Sequence, residues 1–135
     1  MWLFSSNKIK RALIFRENLY WIEILYKSTP YAFMLDSGAD CNIVTQSFVD
    51  KYPQLPVITG GSISGMGGTD SNTKITELAL TFDSKKYFHS LFIVRDEAVL
   101  PNIFDKYFVG ILGTPFLMGS VIDFKRNIIY IDQSV

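Results

Sequence analysis

The chain of 135 residues has one cysteine, Cys41, and one histidine, His89. An internal disulfide is therefore excluded, and so is a zinc site built on a Cys/His set. A Cys-His nucleophilic pair would need these two distant residues to meet, and no local motif supports it. Cys41 reads as a small apolar residue and His89 as a strand residue. Charge of one sign is also lacking: 13 Lys and Arg balance 13 Asp and Glu, and the only local excess is KIKR at 8–11. That removes the broad basic field that a nucleic-acid partner requires. No uninterrupted apolar run approaches the ~20 residues of a membrane-spanning helix, so no membrane partner is expected. The opening MWLFSSNKIKR lacks the order of a secretory signal, and a cytoplasmic location is expected. No metal and no cofactor is expected either.

What is present is β-forming. Strand-like runs cover 12–15, 20–26, 31–36, 74–82, 87–94, 110–112, 121–124 and 128–131, separated mostly by short turn signals. RENL and KSTP divide the first three, FKRNI makes a tight hairpin of the last two, and an antiparallel meander is the simplest topology. Leu78, Leu80 and Phe82 alternate with Glu77 and Thr81, so one sheet face there is apolar and the other meets water. Helix signals are few. Thr45 is placed to cap a short helix QSFVDKY that buries Phe48, Val49 and Tyr52 and stops at Pro53. In GTPFLMG, Thr114 stands as N-cap, Pro115 at the first helical position and Gly119 at a left-handed end. The stretch DEAVLPNIFDKYF, interrupted by Pro101, reads as loop or helix. No repeat or long linker divides the chain, and its length suits one core and one site.

Three stretches carry possible chemistry. AFMLDSGADCNIV, residues 32–44, sets Asp36 between two apolar runs. Asp-Ser-Gly is ordinary turn chemistry, with Gly at a positive φ. Yet a carboxylate with buried flanks must be hydrogen-bonded, paired or shifted in pKa, which makes it a candidate for acid-base work. SISGMGGTDSNT puts Gly65, Gly67 and Gly68 around Met66, either a plain hairpin tip or a mobile lid that closes over a ligand. GILGTPFL joins an apolar strand to a capped turn through Gly113, a residue that lets two backbones approach closely.

Asp-Ser-Gly-Ala after an apolar strand, then a Gly-rich hairpin, then Ile-Leu-Gly leading into a short helix, in that order, resembles the retropepsin-like aspartic proteases. The resemblance runs from about residue 19 to residue 131. It implies an all-β fold: a small closed β-barrel of the retropepsin type with a flap hairpin and one or two short helices. Residues 1–18 would form an N-terminal segment and first strand, and 19–135 the protease domain, within a single domain overall. It also implies an aspartic endopeptidase that works as a homodimer on a polypeptide substrate. Peptide hydrolysis needs a base for the water and an acid for the substrate, and one carboxylate cannot be both at once. Each subunit of the family supplies one aspartate, and the two share a proton.

By the same resemblance the catalytic residues are Asp36, Ser37 and Gly38, with Ser37 donating its hydroxyl across the dimer axis to the partner's backbone. Ala39, Asp40, Gly65, Met66, Gly67 and Leu112 would contact substrate, and Ile111 and Gly113 would support the catalytic loop. Leu35, Val44, Ile63 and Leu112 would make the subsites apolar. The family's arginine after the later glycine is Thr114 here, so Asp40 lacks that partner. Two other readings stand beside the protease. One is a catalytically silent member of the fold that binds peptides or dimerises. The other is an unrelated small β-barrel with a Gly-rich lid, in which Asp36 is a structural turn residue.

Overall fold

Tight two-residue turns start the fold. The computed structural model describes residues 8–60, 73–83 and 87–132. Strands β1 (Lys8–Ala12), β2 (Ile14–Arg16), β3 (Leu19–Tyr26) and β4 (Thr29–Leu35) follow one another closely. Glu17 and Asn18 join β2 to β3, and Lys27 and Ser28 join β3 to β4, all four at positive φ. That is the mirror-image turn whose twist matches antiparallel strands. Ser28 holds φ 69 with a side chain that disfavours it. Ser28→Gly is expected to raise stability by about 0.5–1 kcal/mol, read as a higher thermal midpoint.

The remaining elements are β5 (Asn42–Thr45), α1 (Gln46–Asp50), β6 (Val57–Thr59), β7 (Lys74–Thr81), β8 (Tyr87–Arg95), β9 (Phe108–Leu112), α2 (Thr114–Leu117), β10 (Ser120–Asp123) and β11 (Ile128–Asp132). Neighbours in the large sheet run β2-β3-β4-β9-β5-β8-β7-β6. A further pairing, Leu25 with Thr81, brings β7 back to β3, so that β3, β4, β9, β5, β8 and β7 close a six-stranded barrel. A separate three-stranded sheet, β1-β11-β10, pairs the two ends of the described chain. Leu13 passes from one sheet to the other, held by Asn127, whose carbonyl and side-chain amide each bond Leu13's backbone at 2.9 Å.

The barrel is not a meander. β4 pairs parallel with β9, and β5 pairs parallel with β8. β9 is inserted between β4 and β5, which the chain joins directly. Val109, Gly110, Ile111 and Leu112 are all buried, the pattern of a central strand covered on both faces.

Alternation divides the core into two layers. Ile22, Ile24, Phe33, Val44, Leu78, Leu80, Phe92, Val94 and Leu112 fill one cluster, which α1 joins through Phe48 and Val49. Trp21, Ala32, Met34 and Ile111 form a second, covered by Ile103, Phe104 and Tyr107. Those covering residues lie in the stretch left open as loop or helix, which is a single 3₁₀ turn at Glu97–Val99 followed by loop. Arg16 anchors it by donating to Ile103 O at 2.7 Å while its guanidinium lies 3.8 Å from the Phe108 ring centre. The Asp105 carboxyl, bonded by the backbone amides of Phe108 and Tyr107, is held below the usual carboxylate range.

Thr45 caps α1 as expected, accepting from Phe48 N at 3.3 Å, and Tyr52 lies just beyond the helix, half-buried. The second helix starts differently from its reading. Gly113 is the N-cap, because its carbonyl already accepts from Phe116 N and Leu117 N, and Thr114 is the first helical residue. Gly119 has no positive φ; its carbonyl accepts from Asp132 N and leads directly into the terminal sheet. Among the described residues no helix is long and apolar enough to cross a membrane.

Tyr26, Tyr31, Tyr52 and Phe48 meet edge to face beside α1, and the Tyr31 and Tyr52 hydroxyls are hydrogen-bonded. Burial, and then the bond to Tyr52, push the Tyr31 hydroxyl up to about 12 from its ordinary 10.0. A phenol whose folded pKa is raised binds its proton longer in the native state, so its stabilisation is complete below about pH 10 and falls between about 10 and 12. Tyr31→Phe is expected to flatten that alkaline loss, measured as thermal midpoint against pH.

Candidate active site

The loop that carries Asp36 is held from its two ends and its middle. β4 ends at Leu35, and Asp36 N donates to Leu112 O at 3.0 Å, fixing the aspartate beside the end of β9. Ala39 N donates to Asp36 O at 3.1 Å, and Thr114 N donates to Ala39 O at 2.9 Å. Asn42 Oδ1 accepts from Gly113 N at 2.9 Å. Residues 112–114 thus bind the loop at every third residue. The contact is as close as backbones allow: a Cβ on Gly113 would sit 2.5 Å from the carbonyl oxygens of both Ala39 and Cys41.

Within the loop, Gly38 N donates to Asp36 Oδ1 at 2.9 Å. The turn reading of Asp-Ser-Gly therefore holds in its hydrogen bond but not in its dihedral, since Gly38 lacks a positive φ. Its bare Cα matters through proximity instead, because a Cβ would lie 3.3 Å from Asp36 Oδ1. Asp36 is half-buried, while Ser37, Gly38 and Asp40 are exposed and Ala39 is intermediate. The carboxylate therefore sits at an open edge of the loop, supported from beneath and accessible from outside.

The other expected site residues divide by face. Gly113 donates to Asn42 and lies against the Ala39 and Cys41 carbonyls, and Ile111 is buried in the smaller core cluster, against which Ala39 packs. Leu112, expected to contact substrate, has no exposed surface and packs into the barrel interior. Val44, expected to line a subsite, is equally buried, whereas Leu35 keeps part of its surface. The burial of both follows from alternation, which turns these side chains inward. Gly65, Met66 and Gly67, with Ile63 and Gly68, lie outside the described residues.

Cys41 is buried, and burial together with the adjacent Asp40 carboxylate pushes its thiol up, away from the reactive thiolate. His89 is exposed, with Nε2 3.3 Å from Glu77 Oε1. These two residues make no nucleophilic pair. Among the described residues no group of three or more His, Cys, Asp or Glu is placed to hold a metal ion.

Sequence reasoning missed Asn42. It is polar, has no exposed surface, and uses both ends of its amide: Oδ1 toward Gly113 and Nδ2 toward Ser90 Oγ at 3.2 Å. The only signal was its place among residues read as buried, where a polar side chain requires partners.

A six-stranded barrel with an aspartate loop packed against the end of a threaded strand defines the class: the fold is that of the retropepsin-like aspartic proteases. Among solved structures, the chain is similar to a retropepsin-like aspartic protease from Rickettsia conorii, at 17% identity over 92% of this chain and 89% of that one, with a TM-score of 0.53. It is also similar to the retroviral protease-like domain of Ddi1 from Leishmania major, at 18% identity over 84% and 88% of the two chains, with a TM-score of 0.56. No protein-family model and no curated protein matches the chain.

Proposed function

We propose that this chain is one subunit of a homodimeric aspartic endopeptidase in which two Asp36 carboxylates, one from each copy, activate a water for peptide hydrolysis. The observation that carries the reading is the state of Asp36: its backbone is clamped to β9, Oδ1 is held by Gly38 N, and the loop's outer surface is open. A single chain offers one such carboxylate, and the reaction needs a base and an acid together. A second copy, facing the first loop to loop, supplies the missing group. Two carboxylates in contact then share one proton, so that one takes a proton from water while the other gives one to the substrate.

Ser37, exposed beside Asp36, is the residue to tie the two loops by donating its hydroxyl across the axis. Gly38, Ala39 and Asp40 border the substrate backbone, and the Gly65–Gly67 segment with Met66 closes over it. The substrate is a polypeptide, and the site calls for no cofactor.

The test is cleavage of a mixed peptide library from acid to neutral pH, with the oligomeric state measured by sedimentation in the same buffers. Cleavage by a dimer, stopped by a statine-type mimic of the tetrahedral intermediate, is the expected result. A confirmed dimer that cuts nothing would favour the silent peptide-binding module. A stable monomer would mean that the two carboxylates never meet.

A further inference from the structure

We propose that Asn42 is a positioning residue for Asp36, fixing the height of the aspartate loop above β9 through a side-chain amide. The inference rests on the dimeric protease reading and names the device that keeps its two carboxylates at one separation. Three successive residues of the β9–α2 junction hold the loop, at Asp36 through Leu112 O, at Ala39 through Thr114 N and at Asn42 through Gly113 N. The first two bonds are made by backbone alone and form with any side chain. Only the third depends on the sequence.

Gly113 N needs that amide. It is the N-cap residue of α2, so no preceding helical carbonyl serves it, and the nearby Ala39 carbonyl already accepts from Thr114 N. Asn42 is itself anchored from the opposite side, where Nδ2 donates to Ser90 Oγ on β8. The amide therefore ties together β5, on which it stands, the β9–α2 junction through Gly113, and β8 through Ser90. Both ends of the group have to be satisfied, because it has no exposed surface and sits against an apolar interior. A core that needed only volume at position 42 would take Leu or Val; an amide there serves its two bonds.

If the loop rises or tilts on loss of this bond, each Asp36 shifts with it, and the shift is doubled across the dimer axis. Proton sharing between like carboxylates depends on their distance. Turnover and its pH limbs then change more than peptide affinity, most of which comes from subsites outside this loop.

The experiment compares wild type, Asn42→Ala, Ser90→Ala and Ile129→Val, the last a control in the terminal sheet. Each dimer is assayed for kcat, KM, the pH profile and backbone amide exchange. Asn42→Ala is expected to lower kcat at least ten-fold with KM within two-fold, to move the limbs of the pH profile, and to speed exchange at Asp36 and Ala39 at least ten-fold. Ser90→Ala, which keeps the Gly113 bond and loses only the anchor, is expected to show the same changes in smaller measure. It also serves should Asn42→Ala fail to fold. A kcat, profile and loop exchange matching the control at equal thermal stability would overturn the proposal and leave Asn42 as ordinary core. If wild type itself cuts no peptide, the protease reading falls, and exchange alone then decides: faster loop amides uphold the positioning of Asp36, and unchanged ones reject it.

Discussion

Asp36→Asn is expected to abolish turnover, lowering kcat by at least about 1,000-fold, with the barrel melting within a few degrees of wild type and the proposed dimer retained. The size follows from what is lost: no group remains to take the proton from water or to return it, and acid-base assistance is worth about 10²–10⁴-fold for each role. The fold survives because an Asn at 36 still offers a side-chain oxygen to Gly38 N, and the backbone bond from residue 36 to Leu112 O is untouched. The measurement is steady-state cleavage of one good peptide alongside thermal melting and sedimentation of both proteins. Retained cleavage by a folded Asp36→Asn dimer would falsify the shared-carboxylate mechanism, and a variant that unfolds would assign Asp36 to structure.

Gly113→Ala is expected to be the most damaging small substitution, costing about 3 kcal/mol or more of stability and removing activity in whatever folded protein remains. A methyl group there meets the carbonyl oxygens of Ala39 and Cys41, both at 2.5 Å. Neither is the end of a flexible side chain, so the loop or β9 must move, and overpacking of this kind ordinarily costs about 1–3 kcal/mol even when side chains can yield. The displacement carries Asp36 away from its place because residues 36, 39 and 42 all hang on residues 112–114. Denaturant unfolding gives the loss of stability, and activity measured well below the new transition midpoint separates misplacement from unfolding. Gly110→Ala is the instructive comparison. Its methyl would press Ile43 O and the Phe33 ring, away from the hydrogen-bonded junction, so stability is expected to fall more steeply than kcat.

Local chemistry determined much of this molecule. Alternation of apolar and polar side chains marked most strands, including the buried face of Leu78, Leu80 and Phe82, because the pleat has a period of two residues. Turn residues gave the hairpins, and Thr45 gave the start of α1. The order of the Asp-Ser-Gly, Gly-rich and Ile-Leu-Gly stretches led to the retropepsin-like fold. The short strands β5 and β6 escaped, each with only two apolar residues, Ile43 and Val44 in one and Val57 and Ile58 in the other.

Tertiary structure alone decided which strands are neighbours. β9 enters between β4 and β5 from far along the chain, and no spacing within any of the three encodes that pairing. The same event turned Leu112 and Val44 inward, made Gly113 the N-cap of α2, and gave the Asn42 amide its partner 71 residues away. Periodicity reports which face of a strand is apolar; which backbone presses on that face, and which buried N–H then needs an acceptor, is fixed only when distant segments pack.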